Sequence, residues 1–264
     1  MNIAIDKQFM HWFDSEQLVN VDGFNANELD ELCAESTKDF IVCLNTQSAQ
    51  GMQLLQKTQY SKKVKYLSHQ INIEQFIKQN KGSFPANKKT LFSQAIGRKT
   101  RKVIDATGGW LGDTLLMCSQ NYQVQVLERN WLLQGFIAEA CKRLSMSDWL
   151  LSNQAPLPSL IRMDAIDYLE QKDQEFDCVY IDPMFPPKIK QSAAVRKSMQ
   201  VLHELIGQDF DANFLFLAAY SSNVRRIVVK RPDYADPLHL GLEASKPPTE
   251  TLKGKLVRYD VYIR

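Results

Sequence analysis

No C-x-x-C pair, no cluster of histidines, no G-x-G-x-x-G turn and no apolar run of membrane-spanning length occurs in these 264 residues. Each absence removes a class of function. The five cysteines, Cys33, Cys43, Cys118, Cys141 and Cys178, are odd in number and scattered, which argues for reduced thiols in a cytoplasmic protein rather than disulfides or zinc. His11, His69, His203 and His239 are equally dispersed, so no metal is expected. The N-terminus has acids where a secretory leader would carry its apolar run, and neither an internal repeat nor a low-complexity tract is visible. What remains is an ordinary globular composition, 44% hydrophobic and 23% charged, long enough for one large core or two modest ones.

Acids are also nearly missing from one stretch. The formal net charge of +2 hides four blocks: residues 1–45 carry −7, residues 46–102 carry +11, residues 103–187 carry −7 and residues 188–264 carry +5. In the second block 12 basic residues face a single acid, Glu74. So lopsided a block suits contact with a phosphate backbone, with Lys62, Lys63, Lys65, Lys88 and Lys89 as its candidates, joined by Lys188, Lys190, Lys230 and Arg231 from the last block. The alternative is a solvated basic face.

Residues 1–39 read as an irregular or helical acidic lead, followed by short strands at Phe40–Leu44, Gly51–Leu55 and near Val64–Leu67. Residues 1–80 are therefore expected to form a small accessory α+β domain that shares in the nucleic-acid contact, ending at the Lys81-Gly82-Ser83-Phe84-Pro85 breaker, with a short helix over Lys88–Ile96. Strands then alternate with helices through residues 81–264, the pattern of a doubly wound, mostly parallel sheet. Strands are expected at Lys102–Asp105, Gln123–Glu128, Leu160–Met163, into Asp182, at Arg225–Lys230 and at Leu256–Ile263, and helices over Asp113–Ser119, Asn130–Leu144, Ala165–Gln171, Lys188–Ile206 and Phe210–Ser221.

The chemistry concentrates at Val179-Tyr180-Ile181-Asp182-Pro183-Met184-Phe185. Pro183 lacks an N–H and fixes φ, so the buried strand must end there and open into a loop at its carboxyl end, where open α/β sheets bind ligands. A carboxylate at Asp182 beside the Phe185 ring suits a nucleobase held by its exocyclic amine, the amine donating to Asp182 and to a carbonyl near Pro183 while the base stacks on Phe185. Asp182-Pro183-Met184-Phe185 resembles the Asp/Asn-Pro-Pro-Tyr/Phe tetrapeptide of amino-directed nucleic-acid methyltransferases, with Met in place of the second Pro.

Acids recur at four successive strand ends: Asp105, Glu128, Asp164 and Asp182. A glycine turn after the first strand, Gly108-Gly109, and an acid about 20 residues on are the arrangement that grips an adenosine through its ribose. Because the glycines do not spell the pyrophosphate fingerprint, S-adenosylmethionine, which has ribose and adenine but no phosphate, fits better than a dinucleotide. Glu128 is then the ribose acceptor and Asp164 an acceptor for the adenine amine, against the plainer readings of a solvated acid and a helix N-cap.

Val103-Ile104-Asp105-Ala106-Thr107-Gly108-Gly109, Val126-Leu127-Glu128-Arg129-Asn130, Tyr180 to Pro186 and Val228-Val229-Lys230-Arg231-Pro232-Asp233-Tyr234 together resemble the bacterial small-subunit ribosomal RNA (guanine-N2)-methyltransferases of the RsmJ type. The resemblance covers roughly residues 100 to 264. It implies a Rossmann-like S-adenosylmethionine-dependent methyltransferase acting on guanine 1516 of 16S rRNA, free or within the small subunit. It further implies cofactor contacts at Gly112, Asp113, Glu128, Arg129, Asp164, Ala165 and Asp182. Asp105 and Gly109 join them from the strand-end and glycine-turn pattern, and the tetrapeptide puts Asp182, Pro183 and Phe185 at the reacting base. The family's Ala-Gly-Leu-Gly-Arg-Asp reads Gly108-Gly109-Trp110-Leu111-Gly112-Asp113 here, so one glycine is displaced and the Arg is absent; Asp164-Ala165 stands where the family has two serines. The competing readings are an amino-methyltransferase of another nucleic acid or of protein glutamine, and a non-catalytic RNA-binding assembly factor.

Overall fold

Two sheets organise the chain in the computed structural model, which describes residues 2–35, 37–44, 51–60, 63–79, 85, 90–171, 175–184, 211–238 and 247–264. The first sheet has five strands in the order β2-β1-β3-β4-β5: β1 (Ile3–Asp6), β2 (Asp22–Phe24), β3 (Phe40–Leu44), β4 (Met52–Tyr60) and β5 (Lys63–His69). The expected irregular lead thus contains two strands. β1 pairs in parallel with both β2 and β3, partners far along the chain, so nothing local in residues 1–39 announces it. Ile3 and Ile5 on one face of β1 meet Phe40 and Val42 in the core, which is why four residues suffice.

Helices α1 (Leu29–Glu35) and α2 (Ile73–Gln79) flank this sheet, and α3 (Leu91–Ile96) leads out of it. Thr90 caps α3, its hydroxyl accepting from Ser93 N–H at 3.2 Å, so the helix starts three residues later than the sequence suggested.

The second sheet is built from β6 (Lys102–Asp105), β7 (Gln123–Leu127), β8 (Ser159–Ile161), β9 (Cys178–Ile181), β10 (Arg226–Pro232), β11 (Glu250–Lys253) and β12 (Val257–Ile263) in the order β11-β12-β10-β9-β6-β7-β8. β6 to β10 are parallel, whereas β12 runs antiparallel to β10 and β11 antiparallel to β12. β11 and the helix over Asp148–Asn153 escaped the sequence reading, and β8 ends at Ile161, short of the expected Met163. The strand order reverses between β6 and β9, so the carboxyl ends of those two strands flank a crevice.

Helices α4 (Gly112–Ser119), α5 (Trp131–Ser145), α6 (Asp148–Asn153), α7 (Ala165–Leu169) and α8 (Ala212–Ser221) accompany this sheet. In α5, Leu132, Leu133, Phe136, Ile137, Ala140 and Leu144 recur at helical spacing and are all buried. Asn130 caps it by accepting from Leu132 and Leu133 N–H at 3.0 and 3.1 Å, a feature worth about 1 kcal/mol.

One core runs through both sheets, joining Ile5, Phe40 and Met52 to Val124, Phe136 and Tyr180. Gly135 makes this possible. A Cβ there would lie 2.0 Å from Phe13 Cε1, so only glycine lets the N-terminal segment lay that ring on α5. Arg143 adds a polar tie, donating to Glu74 Oε1 at 2.9 Å and to Ile71 carbonyl at 2.9 Å.

Candidate active site

The loops at the carboxyl ends of β6, β7, β8 and β9 enclose a cavity of about 310 Å³. Asp105, Gly109, Gly112, Asp113, Glu128, Arg129, Asp164, Ala165, Asp182 and Pro183 all line it, so residues singled out across 79 positions of sequence share one space. Phe185, Lys188 and Lys190 lie outside the described residues, as do Lys62, Lys88 and Lys89.

Asp105 ends β6 and is buried. Its Oδ1 accepts from Thr107 N–H at 3.1 Å and its Oδ2 from the Thr114 hydroxyl. Burial raises its carboxyl to about 6, although those two hydrogen bonds work the other way. Glu128, one residue past β7, is also buried and raised by desolvation, and its two oxygens accept from Gly109 N–H at 3.0 Å and Asn130 N–H at 2.8 Å. Gly109 has φ +49, and the preceding Gly108 could not take a Cβ, which would sit 2.6 Å from Val126 Cγ1. The turn is therefore drawn tight against β7.

The displaced glycine has a structural counterpart. Leu111, where the family pattern has glycine, adopts the left-handed conformation at φ +58 and is fully buried. Gly112 does not have a positive φ, and a Cβ placed there meets nothing within 4 Å.

Asp164 is the N-cap of α7, its Oδ1 accepting from Ile166 N–H at 2.8 Å. Its Oδ2 receives Arg129 at 3.3 Å, and Arg129 also pairs with Asp211 at the start of α8. The plainer reading of Asp164 thus holds in the fold while the residue still faces the cavity.

Asp182 follows β9. Its N–H donates to Thr107 Oγ1 at 2.8 Å, and its Oδ2 receives Lys230 Nζ at 2.8 Å. Lys230 Nζ lies equally close, 2.7 Å, to Asp113 Oδ2, which also accepts from the Tyr180 hydroxyl at 2.6 Å. Here the structure corrects the sequence reading. Lys230, a candidate phosphate-backbone contact by charge pattern, lines the cavity and is held by two carboxylates, because the β9–β10 register sets Val229 opposite Ile181 and so Lys230 beside Asp182. Arg231 points elsewhere, its guanidinium donating to Asp236 carbonyl. Lys65 is exposed on the edge strand β5, and Lys63 opens the same strand. Thr107, Thr114 and Tyr180 are site residues that the sequence reading missed; Thr107 and Tyr180 each stand two residues from a strand-end acid, and Thr114 follows Asp113 inside α4.

The acceptor-rich lining fits a ligand with hydroxyls and positive charge. Six carboxylates, Asp105, Asp113, Glu128, Asp164, Asp182 and Asp211, line the cavity against two cations, Arg129 and Lys230. S-adenosylmethionine, with a ribose, a sulfonium and an ammonium, matches that balance, whereas a polyphosphate would be repelled. Among the described residues, no group of three or more His, Cys, Asp or Glu side chains is arranged to hold a metal, and no helix is long and apolar enough to cross a membrane.

Comparison with known proteins agrees with this geometry. Ribosomal RNA small subunit methyltransferase J of Legionella pneumophila (strain Corby) is 39% identical over 165 residues, 61% of this chain and 63% of that protein. The protein of the same name from Francisella philomiragia is 36% identical over 185 residues, covering 67% and 73%. The chain thus spans a little under two thirds of the Legionella relative. In three dimensions it superposes on the crystal structure of a SAM-dependent methyltransferase from Neisseria gonorrhoeae with a TM-score of 0.63 at 18% identity, over 100% of this chain and 96% of that one, which shows a shared Rossmann-like fold. The family described as "Putative SAM-dependent methyltransferase" matches residues 27–264, nearly the whole chain, and the protein belongs to that family, whose cofactor is S-adenosylmethionine.

Proposed function

We propose that the protein methylates the exocyclic N2 amine of a guanine in small-subunit ribosomal RNA, by resemblance guanine 1516 of 16S rRNA, in the cytoplasm. The observation that carries this reading is the position of Asp182-Pro183. A carboxylate followed by a proline stands at the carboxyl end of β9, in the same cavity as the strand-end acids Glu128 and Asp164. The names of the 33–39% identical relatives supply the substrate class.

In this reading Glu128 receives the ribose hydroxyls, with the Gly108-Gly109 turn letting backbone approach. Asp164 and Ala165 border the adenine, and Asp105, Gly109, Gly112, Asp113 and Arg129 complete the lining. When bound, S-adenosylmethionine supplies an electrophilic methyl group. Asp182 accepts a hydrogen bond from the guanine amine, and Pro183 ends the strand so that the loop carbonyls face the same amine. These acceptors orient the nitrogen, whose lone pair is otherwise delocalised into the ring, and favour the positive charge that develops on it. Phe185 stacks on the base. No strong base is required, because the proton leaves after methyl transfer. Residues 1–80 act as an accessory domain that grips RNA with Lys62, Lys63 and Lys65, joined by Lys88, Lys89, Lys188, Lys190 and Arg231 from residues 81–264.

The test is transfer of labelled methyl from S-adenosylmethionine to small ribosomal subunits, or their RNA, lacking the mark. One methyl per particle at guanine N2 is expected. Labelling of another nucleic acid or of protein, with none on these particles, would overturn the substrate, and binding without transfer would favour an assembly factor.

A further inference from the structure

We propose that Lys230 is a positioning residue of the methyl-transfer site, its ammonium fixing the Asp182 carboxylate as the acceptor for the substrate amine. The proposal rests on the reading of Asp182 given above. Lys230 Nζ bridges Asp113 Oδ2 at 2.7 Å and Asp182 Oδ2 at 2.8 Å, so it ties the helix after the glycine turn to the loop after β9. Thr107 anchors the backbone of Asp182 by accepting from its N–H, and Lys230 holds the carboxylate by Oδ2. Among the described residues no hydrogen bond reaches Oδ1, which leaves that oxygen for an incoming donor.

The charges around Lys230 explain why a cation is needed. Asp105 from β6, Asp113 from α4 and Asp182 face one another here, with Tyr180 from β9 and Tyr259 from β12 as further titratable neighbours among the described residues. Burial pushes Asp182 up to about 6; Lys230 opposes that push, while Asp113 and Asp105 reinforce it. Burial works against the charge on Lys230, but its two carboxylates outweigh it and raise its pKa, so Lys230 is a fixed charge and not a proton acceptor. Without it, three neighbouring carboxylates share the site with no cation between them, and Asp182 takes up a proton, losing its strength as an acceptor.

The experiment is the pH dependence of single-turnover methyl transfer at saturating S-adenosylmethionine, with small subunits lacking the mark, for wild type, Lys230→Met, Lys230→Arg and Asp113→Asn. An opposite charge at this distance lowers a carboxylate by about 1–3 units, so Lys230→Met should move the acid limb of the profile up by about that much and recover rate at high pH. Lys230→Arg should restore the wild-type limb. Asp113→Asn removes a repelling neighbour and should move the limb down. A rate that falls by the same factor at every pH in Lys230→Met, with the limb unmoved, overturns the proposal. Should Lys230→Met not fold, an unmoved limb in Asp113→Asn overturns it equally. Wild type that transfers no methyl at any pH overturns the functional reading instead, a result distinct from an unmoved limb in an active enzyme.

Discussion

The backbone N–H of Gly109 donates to Glu128 Oε2 at 3.0 Å, so the glycine turn after β6 and the acid after β7 form one unit. Glu128 also accepts from Asn130 N–H at the cap of α5, and its main-chain carbonyl accepts from Gln134. A single buried carboxylate therefore braces both the turn and the helix entry while presenting its remaining lone pairs to the cavity.

Glu128→Ala should lower both cofactor affinity and stability. Two backbone donors lose their acceptor, each costing about 1–3 kcal/mol if it stays buried and unpaired. Glu128→Gln keeps one carbonyl acceptor and should fall between. Calorimetric titration of S-adenosylmethionine and thermal unfolding of both variants check this; affinity unchanged in Glu128→Ala would remove the ribose role.

At saturating S-adenosylmethionine, Asp182→Ala should reduce methyl transfer by about 10²–10³-fold, the range for deleting one preorganised hydrogen-bonding group at a reacting centre. Asp182→Asn retains a carbonyl oxygen and should keep more activity than the alanine variant. Single-turnover rates with saturating RNA decide it, and a fully active Asp182→Ala would place the reacting centre elsewhere.

The two outer glycines of the turn should respond in opposite directions. Gly108→Ala drives a methyl into Val126 and should destabilise the fold. Gly112 begins α4 in open space, so Gly112→Ala should stabilise by about 0.4–1 kcal/mol through the unfolded chain. Thermal unfolding of the pair is the measurement; two shifts of the same sign would contradict the geometry of the turn.

Much of this site could be read from the sequence because its members announce themselves locally. Asp105, Glu128, Asp164 and Asp182 each stand at or just past the carboxyl end of a strand, and parallel strands bring such ends together whatever the side chains between them. Lys230 could not be read that way. It lies within β10 in a stretch that also holds Arg225, Arg226 and Arg231 and looks like a basic surface, and its partners lie 48 and 117 residues away. Only the adjacency of β9 and β10 places it inside. β1 and β2 were illegible for a related reason. Asp22-Gly23-Phe24 has a single buried residue and no alternation to detect, and it exists as a strand because β1 pairs with it. Leu111 is a third case: a buried leucine at positive φ breaks the local rule that glycine occupies such a position, since its side chain fills the core.

Asp105 should give stability a definite pH dependence. Its folded carboxyl titrates near 6, above the ordinary 3.8, so the folded state holds this proton more tightly than the unfolded chain. The sign follows. As pH rises from about 4 through 6 the unfolded state sheds its proton first, and the contribution of Asp105 to stability falls across that window. Asp105→Asn can still accept from Thr107, while the Thr114 hydroxyl turns to accept from the amide. The variant should therefore gain stability relative to wild type as pH increases from 4 to 7, with a residual slope left by Asp182, which is shifted in the same direction. Melting temperatures of the two proteins at several pH values check this, and parallel curves would show that Asp105 is not the group responsible.

Docking on RNA should depend on charge far from the cavity. A pocket that reads one guanine cannot select a single nucleotide among many, so the surrounding surface must grip backbone and shape. Lys65 is exposed on β5, the edge of the first sheet, within the block of 12 basic residues against one acid. If it contacts a phosphate, Lys65→Glu should weaken binding and flatten the dependence of log affinity on log salt by roughly one, without altering which base is methylated or how tightly S-adenosylmethionine binds. Reversing Lys88 and Lys89 together should flatten the slope further. Because the substitution sits on a solvated edge strand, melting temperature should not move, which separates lost contact from lost fold. Affinity for small subunits measured across a salt series decides the matter: a slope equal to wild type in both variants would make the basic block an ordinary solvated face and leave residues 1–80 with another task.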